Sequence, residues 1–236
     1  MRVKITFAYD GTNYYGSQVQ SQNPNTVNGV LEHVLKKIKI DSKVVASGRT
    51  DRGVHATMQV AHIDLPPYWS DVGKLKSTLN RMLPQSISIK SIMRVDDSFH
   101  ARYSAKQRVY RYIIKPSKPS VFEANYVTYA PDVDFKKIQS DISLFCGTYD
   151  FKAFSKSGSD TSTTTRTIYK AFCYRHRGYI VLHFCANGFL RSQIRLMVAA
   201  LLNRSSDDII DMLKNAKRTK LKPANHNGLY LARIKY

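Results

Sequence analysis

Acidic residues are scarce in this chain: 17 Asp and Glu stand against 37 Lys and Arg in 236 residues, a formal net charge of +20. Cysteine is scarcer. Cys146, Cys173 and Cys185 lie far apart and form no CxxC pair, so neither a disulfide framework nor a cysteine zinc site is signalled. A reducing cytoplasm is the expected setting. Long apolar runs are also missing. The longest, Leu196 to Leu202, is far short of the roughly 20 residues that cross a bilayer, so no membrane partner is expected. The opening segment MRVKITFAYDG reads as a strand and has no signal-peptide apolar region.

What is present is a chain with 43% hydrophobic residues, enough to bury a sizeable core and to exclude wholesale disorder. Its positive excess points to a polyanionic partner, because phosphates neutralised by Lys and Arg release condensed counterions.

Periodicity divides the chain into two similar halves. Arg2 to Tyr9 alternates like a strand, and Val27, Val30, Leu31, Val34, Leu35 and Ile38 follow at helical spacing, with Asn25 or Thr26 as N-cap. Lys43 to Ser47 and Gln59 to Leu65 read as strands. A helix carrying Val72, Leu75, Leu79, Met82 and Leu83 stops before Pro84, and Ile87 to Val95 closes the half. The second half repeats the order: a strand at Val109 to Lys115, a helix marked by Phe135, Ile138, Ile142 and Phe145, and a hairpin around His176-Arg177-Gly178. Helices then run from about Phe189 to Leu202 and from Asp207 to Lys217, before a strand at Leu229 to Lys235. Each half reads β-α-β-β-α-β, a ferredoxin-like order. The expected fold is therefore α+β, two duplicated halves spanning 1–104 and 105–236, with antiparallel sheets around a basic central cleft. Ser155 to Thr165, with KSGSDTSTTT at its heart, reads as a mobile polar loop.

The stretch SGRTDRGVHA, Ser47 to Ala56, places one carboxylate, Asp51, on a loop between strands. Asp and Gly are ordinary turn residues, but a turn does not require Arg49 and Arg52 as well. Cations at that distance would favour the ionised acid. Two-metal phosphoryl transfer needs several converging carboxylates. The best other pairs, Asp96-Asp97 and Asp207-Asp208, fall at element ends as turn or N-cap residues. Glycoside hydrolysis usually takes two carboxylates. A lone one suits nucleophilic catalysis or proton abstraction at one centre, without a metal.

In VYRYII, Tyr110 and Tyr112 share one strand face and Arg111 takes the other. That pattern fits a half-buried strand face or a platform for an unstacked base. FHARYSA, Phe99 to Ala105, puts His100 and Arg102 at the junction of the halves, where His100 reads as a packed or solvated polar residue rather than an acid–base group. Arg191 and Arg195 are four apart on the expected late helix, a solvated basic face or a phosphate contact with a charge partner for Asp51.

These elements together resemble the tRNA pseudouridine synthase A family. The matching stretches are YDGTNYYG (Tyr9 to Gly16), SGRTDRGVHA, TLNRMLP (Thr78 to Pro84), FHARYSA and VYRYI. CGTYDFKAF (from Cys146), NGFLRSQIRLMVAAL (from Asn187) and NGLYLARIKY (from Asn227) match more weakly. The resemblance implies a pseudouridine synthase fold, a homodimer, no cofactor, and isomerisation of uridine at tRNA positions 38 to 40 in the anticodon stem-loop. It makes Asp51 the catalytic aspartate, Tyr110 the ring stacked on the target uracil, Arg49 the group that moves the uridine out of its helix, and Arg195 the partner of Asp51. Asp51 could attack C1′, add to C6 or remove a ribose proton. The chain departs from the family's usual residues at Ser17, Tyr149, Gly188, Ser192 and Gln193. Two other functions fit the charge: a non-catalytic RNA-binding protein or RNA chaperone, which gives Asp51 no task, and a metal-dependent nuclease, which lacks its carboxylate cluster.

Overall fold

The structure, a computed structural model, describes residues 1–156, 162–216 and 220–236. The middle of the polar stretch at 155–165 and Lys217, the expected end of the last helix, lie outside the described residues. The chain forms two compact units, 1–106 together with 230–236, and 107–229.

In the first unit the expected β-α-β-β-α-β order is present as β1 (Arg2–Tyr9), α1 (Val27–Lys37), β2 (Val45–Ala46), β3 (His55–Asp64), α2 (Val72–Met82) and β4 (Ile87–Arg94). Alternation along β1 buries Val3, Ile5, Phe7 and Tyr9, and β1 lies between β3 and β4, antiparallel to both. Thr26 caps α1 by accepting the Gly29 N–H, and Asp71 caps α2 by accepting that of Lys74. Leu31, Val34 and Leu35 of α1 and Leu75 and Leu79 of α2 turn their apolar stripes into the core.

The strand expected to close the second half goes elsewhere. It is β10 (Leu229–Lys235), and it pairs parallel to β3, with Tyr230 opposite His55 and Leu231 opposite Ala56. On that edge of β3 the short β2 covers only Ala61 and His62, so the start of β3 still needs a partner for its backbone groups. The halves are therefore not contiguous: the last seven residues return to the first unit.

The second unit contains β5 (Gln107–Lys115), β6 (Thr128–Tyr129), α3 (Phe135–Asp141), β7 (Gly147–Asp150), β8 (Thr165–His176), β9 (Tyr179–Ala186), α4 (Gln193–Asn203) and α5 (Ser206–Asn215). Its sheet runs β5-β9-β8-β7, antiparallel throughout, with β6 added parallel to β5. Arg177 (φ 47°) and Gly178 (φ 83°) turn the β8–β9 hairpin, as two-residue loops between twisted strands require. Asp96 accepts the Ser98 N–H in a turn, as expected, whereas the N-cap of α5 is Ser205, and Asp207 and Asp208 lie in the first helical turn, where Asp208 completes a reciprocal capping box with Ser205.

Beyond β5, Glu123 accepts bonds from Lys115 Nζ (2.7 and 2.8 Å), from the N–H and hydroxyl of Ser120, and from the Tyr179 hydroxyl. Lys115 foremost, then these donors, hold its carboxyl well below the ordinary range. A depressed folded-state pKa gives stability that is complete above the unfolded value, about 4.3, and is lost as pH falls towards the folded one. Melting temperature should therefore drop between pH 5 and 3 on the order of a few degrees more for the parent than for Glu123→Gln, read by circular dichroism.

Candidate active site

Residues 47–54 join β2 to β3, and each flank of Asp51 is tied to a neighbouring segment. Ser47 donates its N–H to Val60 O (2.8 Å) and its hydroxyl to Gln59 Oε1 (2.7 Å), while Gln59 Nε2 donates to Gly48 O (3.0 Å). Next to Asp51, Thr50 and Ser17 are bound twice: Thr50 N–H donates to Ser17 Oγ (2.9 Å), and Ser17 N–H to Thr50 O (3.1 Å). The Thr50 hydroxyl shares a 2.8 Å bond with the Tyr9 phenol, whose pKa burial pushes up to about 12, so it remains neutral. On the other side, Gly53 N–H donates to Tyr14 O (3.2 Å) and Val54 N–H to Asp51 O (3.2 Å). Asp51 is half-buried between these anchors.

The clamp is the segment after β1. Gly16 takes φ +101°, and a Cβ there would stand 2.8 Å from Thr50 O. Gly11 N–H donates to Nδ1 of His55 (3.1 Å), and the His55 ring stacks on Tyr230 at 4.7 Å. The two stretches that stand out in the sequence, YDGTNYYG and SGRTDRGVHA, thus form one packed device. Ser17, visible beforehand only as an unusual residue, is 1% exposed and provides the acceptor for the peptide N–H preceding Asp51. Ser17→Ala should leave that N–H buried without an acceptor, lowering stability by about 1–3 kcal/mol in urea unfolding. Ser17→Thr, which keeps the oxygen, should lose less.

Of the arginines beside Asp51, Arg49 is exposed on the loop and Arg52 lays its guanidinium over the Tyr15 ring at 4.4 Å. In the second unit, Tyr110 on β5 is 7% exposed, with its ring edge-on to Phe189 at 5.2 Å. Its strand companion Tyr112 is fully buried and bonds the Thr128 hydroxyl and Asn225 O at 2.7 Å each, which makes it a core residue. Arg195 on α4 donates Nε to Ala224 O (2.8 Å). Arg191 is not on that helix. The chain turns through Leu190–Gln193, with Ser192 at φ 58°, and α4 begins only at Gln193, so the shared helical face does not exist. Arg191 is instead exposed on the preceding turn.

His100 and Arg102 belong to the first unit. His100 Nδ1 accepts the backbone N–H groups of Arg102 and Tyr103 (3.2 Å each), so this imidazole organises its own turn. Arg102 is exposed. Beneath them His62 Nδ1 accepts the Ala101 N–H at 3.1 Å, and burial first, then Arg2 and His100, push the His62 pKa down. Among the described residues, no group of three or more His, Cys, Asp or Glu side chains converges as a metal site.

Comparison with known proteins gives the family. The model of the tRNA pseudouridine synthase family matches residues 5–104 and 142–236. Proteins named tRNA pseudouridine synthase A align over nearly their full lengths. That of Campylobacter jejuni strain RM1221 is 39% identical over 100% of both chains, and that of Wolinella succinogenes 40% identical over 97% of this chain and 92% of its own. The Limosilactobacillus reuteri protein is 40% identical over 100% and 96% respectively. This chain belongs to the tRNA pseudouridine synthase family. A solved Cbf5-Nop10-Gar1 complex also matches, at 11% identity and TM-score 0.44, over 97% of this chain and 48% of that one.

Within the family frame, the unusual residues have local tasks. Gln193 is buried, accepts the Leu190 N–H on Oε1 at 2.8 Å and so braces the turn that precedes α4. Ser192 takes the left-handed position of that turn. Tyr149 on β7 packs edge-on to Phe151 and covers Gly147.

Proposed function

We propose that this chain converts uridine to pseudouridine at positions 38 to 40 of tRNA, in the anticodon stem-loop, with Asp51 as its catalytic carboxylate. The chain is an isomerase of the tRNA pseudouridine synthase family. One observation supports the assignment of Asp51: the residues on both sides of it, Thr50 and Gly53, are bonded through their backbones to the segment after β1, at Ser17 and Tyr14. Such a loop holds its side chain in one place at little cost when the reaction begins.

The reaction breaks the N1–C1′ bond, turns the uracil, and forms C5–C1′. The hydrogen on C5 leaves as a proton and N1 gains one. Nothing is hydrolysed or oxidised, so a single carboxylate can open and close the cycle without a cofactor. Tyr110 supplies a ring for the target uracil, held edge-on by Phe189. Such stacking offsets base extrusion, each on the order of a few kcal/mol. Arg49 assists extrusion, and Arg195 is carried over as a substrate-site cation by family resemblance. Arg191, His100 and Arg102 belong to the RNA-contacting surface, Arg191 and Arg102 as exposed cations on turns. The +20 charge supports a nucleic-acid substrate bound chiefly through phosphates. The working assembly is a homodimer by family resemblance, and a tRNA substrate fits a cytoplasmic setting. Among the described residues no helix is long and apolar enough to cross a membrane.

Release of tritium from tRNA labelled at C5 of uridine tests the reading. Release without strand scission supports it. No release would leave an RNA-binding protein or chaperone, and scission a nuclease.

A further inference from the structure

We propose that Tyr103 is a stacking platform for a second, unpaired base of the tRNA, distinct from the uridine being isomerised. The inference rests on the functional reading above. Tyr103 is 78% exposed, an unusual place for a large aromatic ring, yet its position is built rather than loose. Its inner face stacks on His100 at 4.3 Å, and the His100 ring stands edge-on to the buried His62 at 4.9 Å. His100 Nδ1 binds the N–H of Tyr103 itself, and the Ser104 hydroxyl accepts the His100 N–H at 3.1 Å. Ala101, between them, is pinned through its N–H to His62 and through its carbonyl to the Tyr236 hydroxyl (2.9 Å). Phe99 packs on Tyr236 at 4.9 Å and completes the base of the pile.

The FHARYSA turn is therefore a column of rings rising from the core and ending in one exposed face. Backing by His100 means little side-chain freedom remains to be lost on binding. The exposed Arg102 places its guanidinium over the Tyr103 ring, 5.7 Å from the centroid, and an aromatic ring paired with an arginine is the combination that takes unpaired bases irrespective of sequence. A paired stem offers no such base, which directs the platform to a loop nucleotide. His100, read from sequence as a packed or solvated polar residue, contributes to the RNA-contacting surface through Tyr103.

The test compares Tyr103→Ala, Tyr103→Phe and Tyr103→Trp with the parent, using unmodified tRNA transcript. Tyr103→Ala should weaken binding about 5- to 100-fold, with the slope of log K against log salt unchanged, because stacking releases no counterions. Its kcat at saturating tRNA should stay near the parent's. Tyr103→Phe should bind like the parent. The indole introduced by Tyr103→Trp should be quenched by tRNA but not by a blunt RNA duplex, against the unchanged background of the single native Trp69. Parental affinity in Tyr103→Ala, or equal quenching by duplex and tRNA, would overturn the platform. Failure of the parent to release tritium would overturn the isomerase reading instead, and the quenching arm would still decide whether Tyr103 stacks on a base.

Discussion

Asp51→Asn should abolish tritium release, by at least about 10³-fold in kcat, while tRNA affinity changes by about twofold or less. Asparagine nearly matches the carboxylate in shape, and the loop holding it is tied by backbone bonds on either side: Thr50 to Ser17, Gly53 to Tyr14, Val54 to the residue's own carbonyl. None of those bonds uses the Asp51 side chain, so the substituted loop should keep its conformation. What disappears is the only chemistry the amide cannot supply, a negative oxygen able to attack carbon or take a proton. Affinity is set elsewhere, by a cationic surface of which one acid is a small part, and removing that acid relieves a little repulsion of phosphate. Two measurements are needed on one preparation: turnover by tritium release and affinity by filter binding. Turnover within tenfold of the parent would remove Asp51 from the mechanism. Intact chemistry with lost affinity would recast it as a structural residue.

The first unit was legible because its signals are local. Thr26 and Asp71 cap helices whose apolar spacing is plain, Pro84 stops α2, and alternation along β1 marks its buried face. The hairpin at Arg177-Gly178 is likewise a short-range signal. The destination of β10 was not legible, since alternation tells which residues share a face but not which strand edge they will meet. Strands as short as β6 and β7 carry no period at all. For the site, the motif containing Asp51 was visible, but its support was not. Ser17 lies 33 positions from Thr50 in the chain, and nothing in its own neighbourhood advertises a bond to that peptide. Arg191 was misplaced for the opposite reason: apolar spacing continues upstream of α4, and the left-handed turn at Ser192 interrupts it without a glycine or proline to give warning. In FHARYSA the histidine and arginine drew attention as chemically versatile groups, whereas the exposed aromatic ring of the set is the tyrosine.

Gly11→Ala should cost about 3 kcal/mol in stability and about 10²-fold in kcat, although Gly11 contributes no side chain. A Cβ added there would fall 2.0 Å from Val54 O and 2.5 Å from Val54 C, contacts with backbone that no rotamer change can relieve. One of the two segments must move. If it is the segment carrying Gly11, the bond from its N–H to His55 is strained. If it is Val54, the displacement passes directly to Asp51, whose carbonyl accepts the Val54 N–H. Stability alone would not separate this from an ordinary glycine effect, so the comparison is Gly178→Ala. That glycine takes φ +83° in the β8–β9 turn, with nothing within 4 Å of its would-be Cβ. Its replacement should cost about 1–2 kcal/mol of backbone strain and leave kcat unchanged. Urea unfolding and single-turnover tritium release on both variants, at a temperature where each is fully folded, check the contrast. Equal losses of rate in the two would mean that the clamp of Gly11 on Val54 does not position Asp51; loss confined to Gly11→Ala would tie the chemistry to the close approach of these two backbones.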